Sequence, residues 1–292
     1  MNWQQFTMRL GALPPERVEE VFERHGACSV TLRDAGDDPV LEPAPGETPL
    51  WSDTLITGLF DADIDLNGLH DDLLRTFELQ ELPGQRIESL ADREWEREWL
   101  KDFRPMLFGR NLWVCPGEFN VDADRAVVVR LDPGLAFGTG THATTALCLE
   151  WLDSTELRGK RILDYGCGSG ILSIAALLLG AESAVAIDID PQAITATRQN
   201  ALRNGVADRI STTMNDEDTG EPFDVVVANV LAGPLMENAA RISAKLKPNG
   251  LLALSGILAH QAAAVQQVYM DWVEFEPIQR EEDWVRLTGR RI

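Results

Sequence analysis

From about residue 141 to the end, short apolar runs alternate with stretches of helical period, and this alternation leaves few folds open. RILDYG (161–166), AVAIDID (184–190), ISTTMND (210–216), FDVVVANV (223–230) and LLALSGI (251–257) read as strands. HATTALCLEWLDST (142–155), SGILSIAALLLG (169–180), PQAITATRQNALRNG (191–205), PLMENAARISAKLKPNG (234–250) and HQAAAVQQVYMD (260–271) read as helices. The helix at 169–180 is apolar nearly all round and is expected to be buried. Repeated strand–helix units with right-handed crossovers build a largely parallel sheet. The closing segments WVEFEPIQR and DWVRLTGRR read as a hairpin that adds an antiparallel edge. The expected class is α/β, a doubly wound, mostly parallel Rossmann-like sheet over residues 126–292.

The first part of the chain follows another plan. WQQFTMRL (3–10), ACSVTLRDAG (27–36), WSDTLITGLFD (51–61) and QRIESLAD (85–92) read as strands. PPERVEEVFERHG (14–26) and LNGLHDDLLRTFEL (66–79) read as helices, the first with Pro at its start and Gly at its end. The order βαββαβ predicts a ferredoxin-like α+β domain over residues 1–92, a plan that hosts many functions. Residues 93–125 form a bridge: a charged helix, REWEREWLKDF, whose Trp95 and Trp99 read as packing residues, then the strand LWVCPGEF. That strand is expected to pair with AVVVRLDPG (126–134).

The chemistry concentrates where the first strand of the parallel sheet turns into its helix, at LDYGCGSGILS (163–173). In doubly wound sheets ligands bind at the carboxyl ends of the strands. Gly166, Gly168 and Gly170 let backbone approach a ligand with no side chain between, and a helix starting near Ser169 would offer free N–H donors. The dinucleotide fingerprint GxGxxG fails here, because its third position is Ile171, and no Walker lysine follows a GxxxxG. Asp188 falls at the tip of the next strand, where a carboxylate can accept hydrogen bonds from both hydroxyls of a ribose. Asp190, just before Pro191, is the better helix N-cap. Asn229, in ANVLAGP (228–234), ends a further strand at the same edge, with an amide that both donates and accepts. Upstream, LDPGLAFGTGTHATT (131–145) carries Gly134, Gly138 and Gly140, a candidate N-cap in Thr141, and Thr144 and Thr145 in the first helical turn. That composition suits a ligand cover.

Charge and cysteines remove other classes. The net charge is −21, and residues 1–92 hold 6 basic against 19 acidic side chains. Such a surface repels phosphate backbones and anionic lipid and favours basic partners, so no direct nucleic-acid contact and no membrane contact are expected. No run approaches the roughly 20 apolar residues of a membrane span, and MNWQQFTMRL is not a secretory leader, so a cytoplasmic location is expected. Cys28, Cys115, Cys148 and Cys167 form no CxxC pair, and His25, His70, His142 and His260 have no ligand spacing, so no metal site is expected. Cys167, with no basic neighbour in sequence, reads as packing and not as a nucleophile.

DYGCGSG, the acidic strand tip AIDID and the strand end NVLA resemble class I S-adenosylmethionine-dependent methyltransferases. With LDPGLAFGTGTHATT, SGIL (255–258) and the acidic N-terminal domain, the whole chain resembles the bacterial PrmA family, which methylates the large-subunit ribosomal protein L11. The resemblance implies S-adenosylmethionine against Thr145, Gly166, Asp188 and Asn229, with Gly168 in the same cofactor-binding turn. It also implies an N-terminal domain that grips the substrate protein, a monomer, and methylation of lysine side chains and of the N-terminal amine. Many other amine methyltransferases carry Asn-Pro-Pro-aromatic where this chain has Asn229, Val230, Leu231 and Ala232, so the aromatic cap on the target nitrogen is sought in Phe137.

Methyl transfer to an amine needs the nitrogen neutral. A free lysine has a pKa of about 10.4, so neutrality at pH 7 costs about 4 to 5 kcal/mol, part of which burial removes. Alignment of nucleophile, methyl and leaving group contributes roughly 7 to 11 kcal/mol, so a dedicated general base is not required. Asn229 is expected to orient the amine or the methionyl end. Two other readings remain: a small-molecule methyltransferase, which would survive loss of residues 1–92, and a non-catalytic acidic adaptor, which the intact motifs disfavour.

Overall fold

The structure, a computed structural model, describes residues 3–36, 50–90, 104–117, 126–131 and 142–292. The chain divides into two compact units, Met1–Trp95 and Glu96–Ile292.

In the first unit β1 (Trp3–Arg9), α1 (Pro15–Arg24), β2 (Ser29–Asp34), β3 (Thr54–Asp61), α2 (Leu66–Thr76) and β4 (Arg86–Leu90) follow in order. The four strands make an antiparallel sheet in the order β2-β3-β1-β4. Pro15 opens α1 with its φ already set, and Asp65 caps α2 by accepting from the Asn67 N–H. Val18, Val21 and Phe22 of α1 and Leu69 and Leu73 of α2 bury against Phe6, Met8, Ile56 and Phe60 of the sheet. Gly58 makes room for the aromatic stack, since a Cβ there would lie 2.6 Å from the Phe22 ring.

The second unit begins with a small sheet of β5 (Met106–Phe108), β6 (Leu112–Pro116) and β7 (Val127–Leu131). β6 pairs with β5 antiparallel and with β7 parallel. These strands are not a free connector. Phe108, Leu112, Val114, Val129 and Leu131 share one core with α3 (Ala143–Ser154) and α4 (Ile171–Leu178).

The main sheet holds β8 (Arg161–Tyr165), β9 (Ser183–Ile187), β10 (Ile210–Thr213), β11 (Phe223–Asn229), β12 (Leu246–Leu258), β13 (Val273–Phe275), β14 (Gln279–Glu281) and β15 (Trp284–Arg291). Its order is β10-β9-β8-β11-β12-β15-β13, with β14 also on β15. The first five strands are parallel and the last three antiparallel. β13 and β14 act as one edge strand interrupted around Pro277, which has no N–H to give. The core under α3 and α4 covers one face. On the other, α6 (Ala232–Glu237), α7 (Ala239–Ala244) and α8 (Ala262–Tyr269) pack Leu235, Ile242, Val265 and Tyr269 against Leu163, Val226, Leu252 and Leu254. Two covered faces account for the continuous apolar strands.

Three boundaries differ from the sequence reading. The helix expected at 234–250 is two short helices, because Asn238 takes φ −101° and ψ 12° and turns its amide back onto the Pro234 carbonyl at 2.9 Å. A side chain that satisfies backbone locally competes with helix continuation. The strand expected at 251 begins at Leu246, with Asn249 in the left-handed region at φ 61°. The helix expected from Ser169 begins at Ile171 and is capped by Gly170 at φ 77°.

Candidate active site

β8 leads to β9 and β10 on one side of the sheet, and β11 and β12 lie on the other. The order therefore reverses between β8 and β11, and a crevice opens at their carboxyl ends. It holds a cavity of about 710 Å³. Thr145, Gly166, Gly168, Asp188 and Asn229 all line it. Phe137, Thr141 and the glycines at 134, 138 and 140 lie outside the described residues, as do Trp95 and Trp99.

The floor is the turn after β8. The N–H groups of Gly166 and Cys167 both donate to the Ile187 carbonyl, at 2.8 and 2.9 Å. Gly166 sits at φ 79°, and a Cβ there would lie 2.2 Å from Val230 Cγ1. Any side chain at that position would be strained by its φ and would force Val230 aside.

Asp188 follows β9. Its Oδ2 accepts from the Gly168 N–H at 2.9 Å and its Oδ1 from the Asp190 N–H at 3.0 Å. Each oxygen keeps a lone pair, so the carboxylate can still accept from two vicinal hydroxyls. Asp190 is the N-cap of α5 (Pro191–Arg203), accepting from Gln192 N–H at 2.8 Å. Asp190 thus takes the N-cap as its place before Pro191 predicts, and Asp188 is left facing the cavity.

Asn229 ends β11, and its Nδ2 donates to Thr145 Oγ1 at 3.2 Å. Thr145, in the first turn of α3, is 1% exposed. The residues that sequence reading took from two distant motifs thus form one polar corner. The cap of α3 is His142, whose Nδ1 accepts from the Thr144 N–H at 3.3 Å. That position is one residue later than the expected Thr141.

Several site residues were missed. Thr197 donates to the Gly168 carbonyl at 3.0 Å, and Asn200 Nδ2 to the Ser169 carbonyl at 2.9 Å. Both hold the glycine turn from the buried face of α5, and polar residues three apart on an otherwise apolar face were the available signal. Ile189 and Met214 are 88% and 51% exposed at the rim. Two exposed apolar side chains across an opening suit a flat aromatic base. Beyond them Asp216 pairs with Arg241 at 2.6 Å.

Two buried groups complete the electrostatics. Burial pushes the Cys167 thiol far above its ordinary range, and its Sγ lies 3.4 Å from Thr197 Oγ1. A thiol so held is no nucleophile at neutral pH, in keeping with a packing role. Asp164, 1% exposed, accepts at Oδ2 from the Ser173 N–H at 3.0 Å and the Ser173 hydroxyl at 2.6 Å. Its Oδ1 has no hydrogen-bond partner among the described residues, and burial raises the carboxyl to about 6. No described cluster of His, Cys, Asp and Glu has metal-binding geometry.

The chain matches the family described as ribosomal protein L11 methyltransferase (PrmA) over residues 2–292. It is 51% identical over 296 residues to a ribosomal protein L11 methyltransferase of Escherichia coli (strain SMS-3-5 / SECEC), covering all of both chains. It is 50% identical over 291 residues to one of Pasteurella multocida (strain Pm70), covering 99% of each. Among solved structures, ribosomal protein L11 methylase from Lactobacillus delbrueckii subsp. bulgaricus superposes with a TM-score of 0.60 at 31% identity, over 65% of this chain and 99% of that one.

Proposed function

The chain belongs to the PrmA family of ribosomal protein L11 methyltransferases, and from that premise we propose that it transfers methyl groups from S-adenosylmethionine to lysine side-chain and N-terminal amines of ribosomal protein L11. The observation that carries the reading is the cavity itself. Five residues from four separate sequence motifs converge on one crevice at the switch point of the sheet. Their donor set fits the cofactor: a glycine turn that a Cβ would fill, a carboxylate with two free lone pairs for a diol, apolar lips for a base, and an amide–hydroxyl corner.

When bound, S-adenosylmethionine supplies an electrophilic methyl group on a sulfonium. The chain's own part is placement. Asp188 holds the ribose end, Ile189 and Met214 flank the base, and the turn at Gly166–Gly168 brings backbone to the methionyl portion. Asn229 directs its amide into the crevice from the edge of β11, where it orients the methionyl end or the incoming amine. Phe137 caps the target nitrogen. No described side chain beside the polar corner is needed as a base, because alignment contributes the larger part of the barrier reduction, roughly 7 to 11 kcal/mol. A lysine that enters the crevice also loses part of its proton affinity to desolvation.

The N-terminal unit supplies substrate recognition in this reading. Its element order and the strand order β2-β3-β1-β4 support the ferredoxin-like reading of this unit. Its 19 acidic side chains against 6 basic ones over residues 1–92 attract a basic ribosomal protein. In this reading the enzyme is a cytoplasmic monomer; among the described residues no helix is long and apolar enough to cross a membrane.

The test is transfer of labelled methyl from S-adenosylmethionine to separated ribosomal proteins from cells lacking the enzyme. Label in one band at L11, mapped to amines, is the expected result. Label nowhere, with the cofactor bound normally, would overturn the substrate assignment and leave the cofactor site standing.

A further inference from the structure

We propose that Ser255 and Arg286 are positioning residues of this site, and that together with Asn229 they clamp the first turns of α3 to the sheet so that the Thr145 hydroxyl is fixed in the cavity wall. The inference rests on the cofactor reading above and assigns a task to the SGIL segment, which that reading leaves without one.

Three neighbouring strands each send one polar side chain to the same helix. Asn229 of β11 and Ser255 of β12 are partners in the parallel ladder. Asn229 Nδ2 donates to Thr145 Oγ1 at 3.2 Å, and Ser255 Oγ, fully buried, lies 3.1 Å from the Thr144 carbonyl, to which it donates. One rung of the sheet, on two adjacent strands, therefore holds two adjacent residues of the helix. One strand further on, β15 carries Arg286, 8% exposed, whose Nη1 donates to the Leu147 carbonyl, almost one turn along α3.

These bonds are not needed to satisfy the helix. Thr144 and Leu147 lie inside α3, where each carbonyl already accepts from the amide four residues on. A carbonyl has two lone pairs, and the side chains use the second. Nor is the cluster a cheap one. A guanidinium is buried here with its Nε unpartnered among the described residues, and burial lowers its proton affinity. What the arrangement adds is register: it fixes how far α3 can slide or roll over β11, β12 and β15.

Gly256 completes the device from the other side. It sits at φ 82°, and a Cβ there would lie 2.3 Å from the Val230 carbonyl oxygen. β12 can thus press against the residue that follows Asn229 only because position 256 is glycine. The Ser-Gly pair sets both members of the polar corner at once, Thr145 through the helix and Asn229 through the strand end.

The experiment is a double-mutant cycle on the full chain with Ser255→Ala and Thr145→Val, read by calorimetric titration with S-adenosylmethionine and by urea unfolding without it. If Ser255 acts through Thr145, Ser255→Ala weakens cofactor binding about 5- to 10-fold, the size of one hydrogen bond. In the Thr145→Val background the same change costs less than about 2-fold. At saturating cofactor the turnover of Ser255→Ala stays close to the parent while KM rises, the signature of lost uniform binding. Equal fold-losses in the two backgrounds, or unchanged binding by Ser255→Ala, overturn the proposal. The urea arm decides the clamp independently of the cofactor: the double variant is expected to lower the midpoint by clearly less than the two singles together, and strict additivity overturns it. A parent chain that binds no S-adenosylmethionine sinks the cofactor reading instead, and the urea arm still reports on the clamp.

Discussion

Asp164→Asn should stabilise the protein at neutral pH and do nothing in mild acid. Asp164 is buried under the glycine turn with both Ser173 bonds on one oxygen and none on the other. Burial is the largest influence on its carboxyl and raises it from 3.8 to about 6, against the lowering effect of Ser173. The folded state therefore holds this proton more tightly than the unfolded state. Below about pH 4 both states are protonated and the residue contributes no pH dependence. Between about 4 and 6 the unfolded chain has released the proton while the folded one still holds it, so stability falls as pH rises. Above about 6 the full cost applies, about two pKa units or about 3 kcal/mol. Asparagine keeps an acceptor for Ser173 and carries no charge. Its unpartnered N–H₂ replaces the unpartnered O–H of the protonated acid, so at low pH the two proteins should match. Urea unfolding of parent and variant from pH 3 to 8 measures the difference directly. The advantage of Asp164→Asn should grow from near zero to about 3 kcal/mol, with most of the change between pH 4 and 6. A difference that is flat in pH, or a variant less stable than the parent at pH 8, would refute the reasoning.

Other changes test other parts of the site. Asp188→Ala removes the diol acceptor and releases the Gly168 and Asp190 amides, so cofactor affinity should fall by about 10- to 100-fold in a calorimetric titration, the range for hydrogen bonds to a charged group. Gly166→Ala forces a Cβ to within 2.2 Å of Val230 Cγ1 at φ 79°, and should abolish cofactor binding while the chain still folds by circular dichroism. Phe137→Ala should reduce turnover more than cofactor affinity, and an unchanged rate would end its assignment as the cap. In the N-terminal unit, hydrogen bonds from Arg75 and then His25 hold Asp72 down at about 2, so the stability it lends is complete above about pH 4 and is lost as pH falls toward 2; Asp72→Asn should flatten that part of an acid-unfolding curve.

What could be read ahead of the structure was whatever depends on neighbours in sequence. The N-cap task of Asp190 was legible because Pro191 marks a first helical residue and so names its N-cap. Gly166 was legible because a strand that turns sharply into a helix at a ligand edge needs a residue without a side chain. The break at Asn238 was not, since the apolar period continues through Ala239 and Ile242 and only the Asn amide, folded back on Pro234, interrupts it. The bridge over 93–125 gave no sign in sequence of what it packs on, yet Phe108, Leu112 and Val114 bury in the same core as α3 and α4. Ser255 and Arg286 escaped notice for a plainer reason. Their partners on α3 are 111 and 139 residues away, and no periodicity or turn signal spans such a distance.

The two amides that tether Asp188 also settle what the crevice turns away. With one oxygen held by Gly168 and the other by Asp190, the carboxylate cannot swing aside for an incoming anion. Arg241, the cation of the cavity wall, is already committed to Asp216. A nucleoside carrying phosphate on its ribose hydroxyls would set that phosphate against a tethered like charge, with no unpaired cation among the described lining residues to offset it. If Asp188 takes the ribose diol as proposed, the pocket would select by charge as well as by shape: it would pass nucleosides with bare ribose hydroxyls and turn away those phosphorylated there, through a single side chain held by its own backbone.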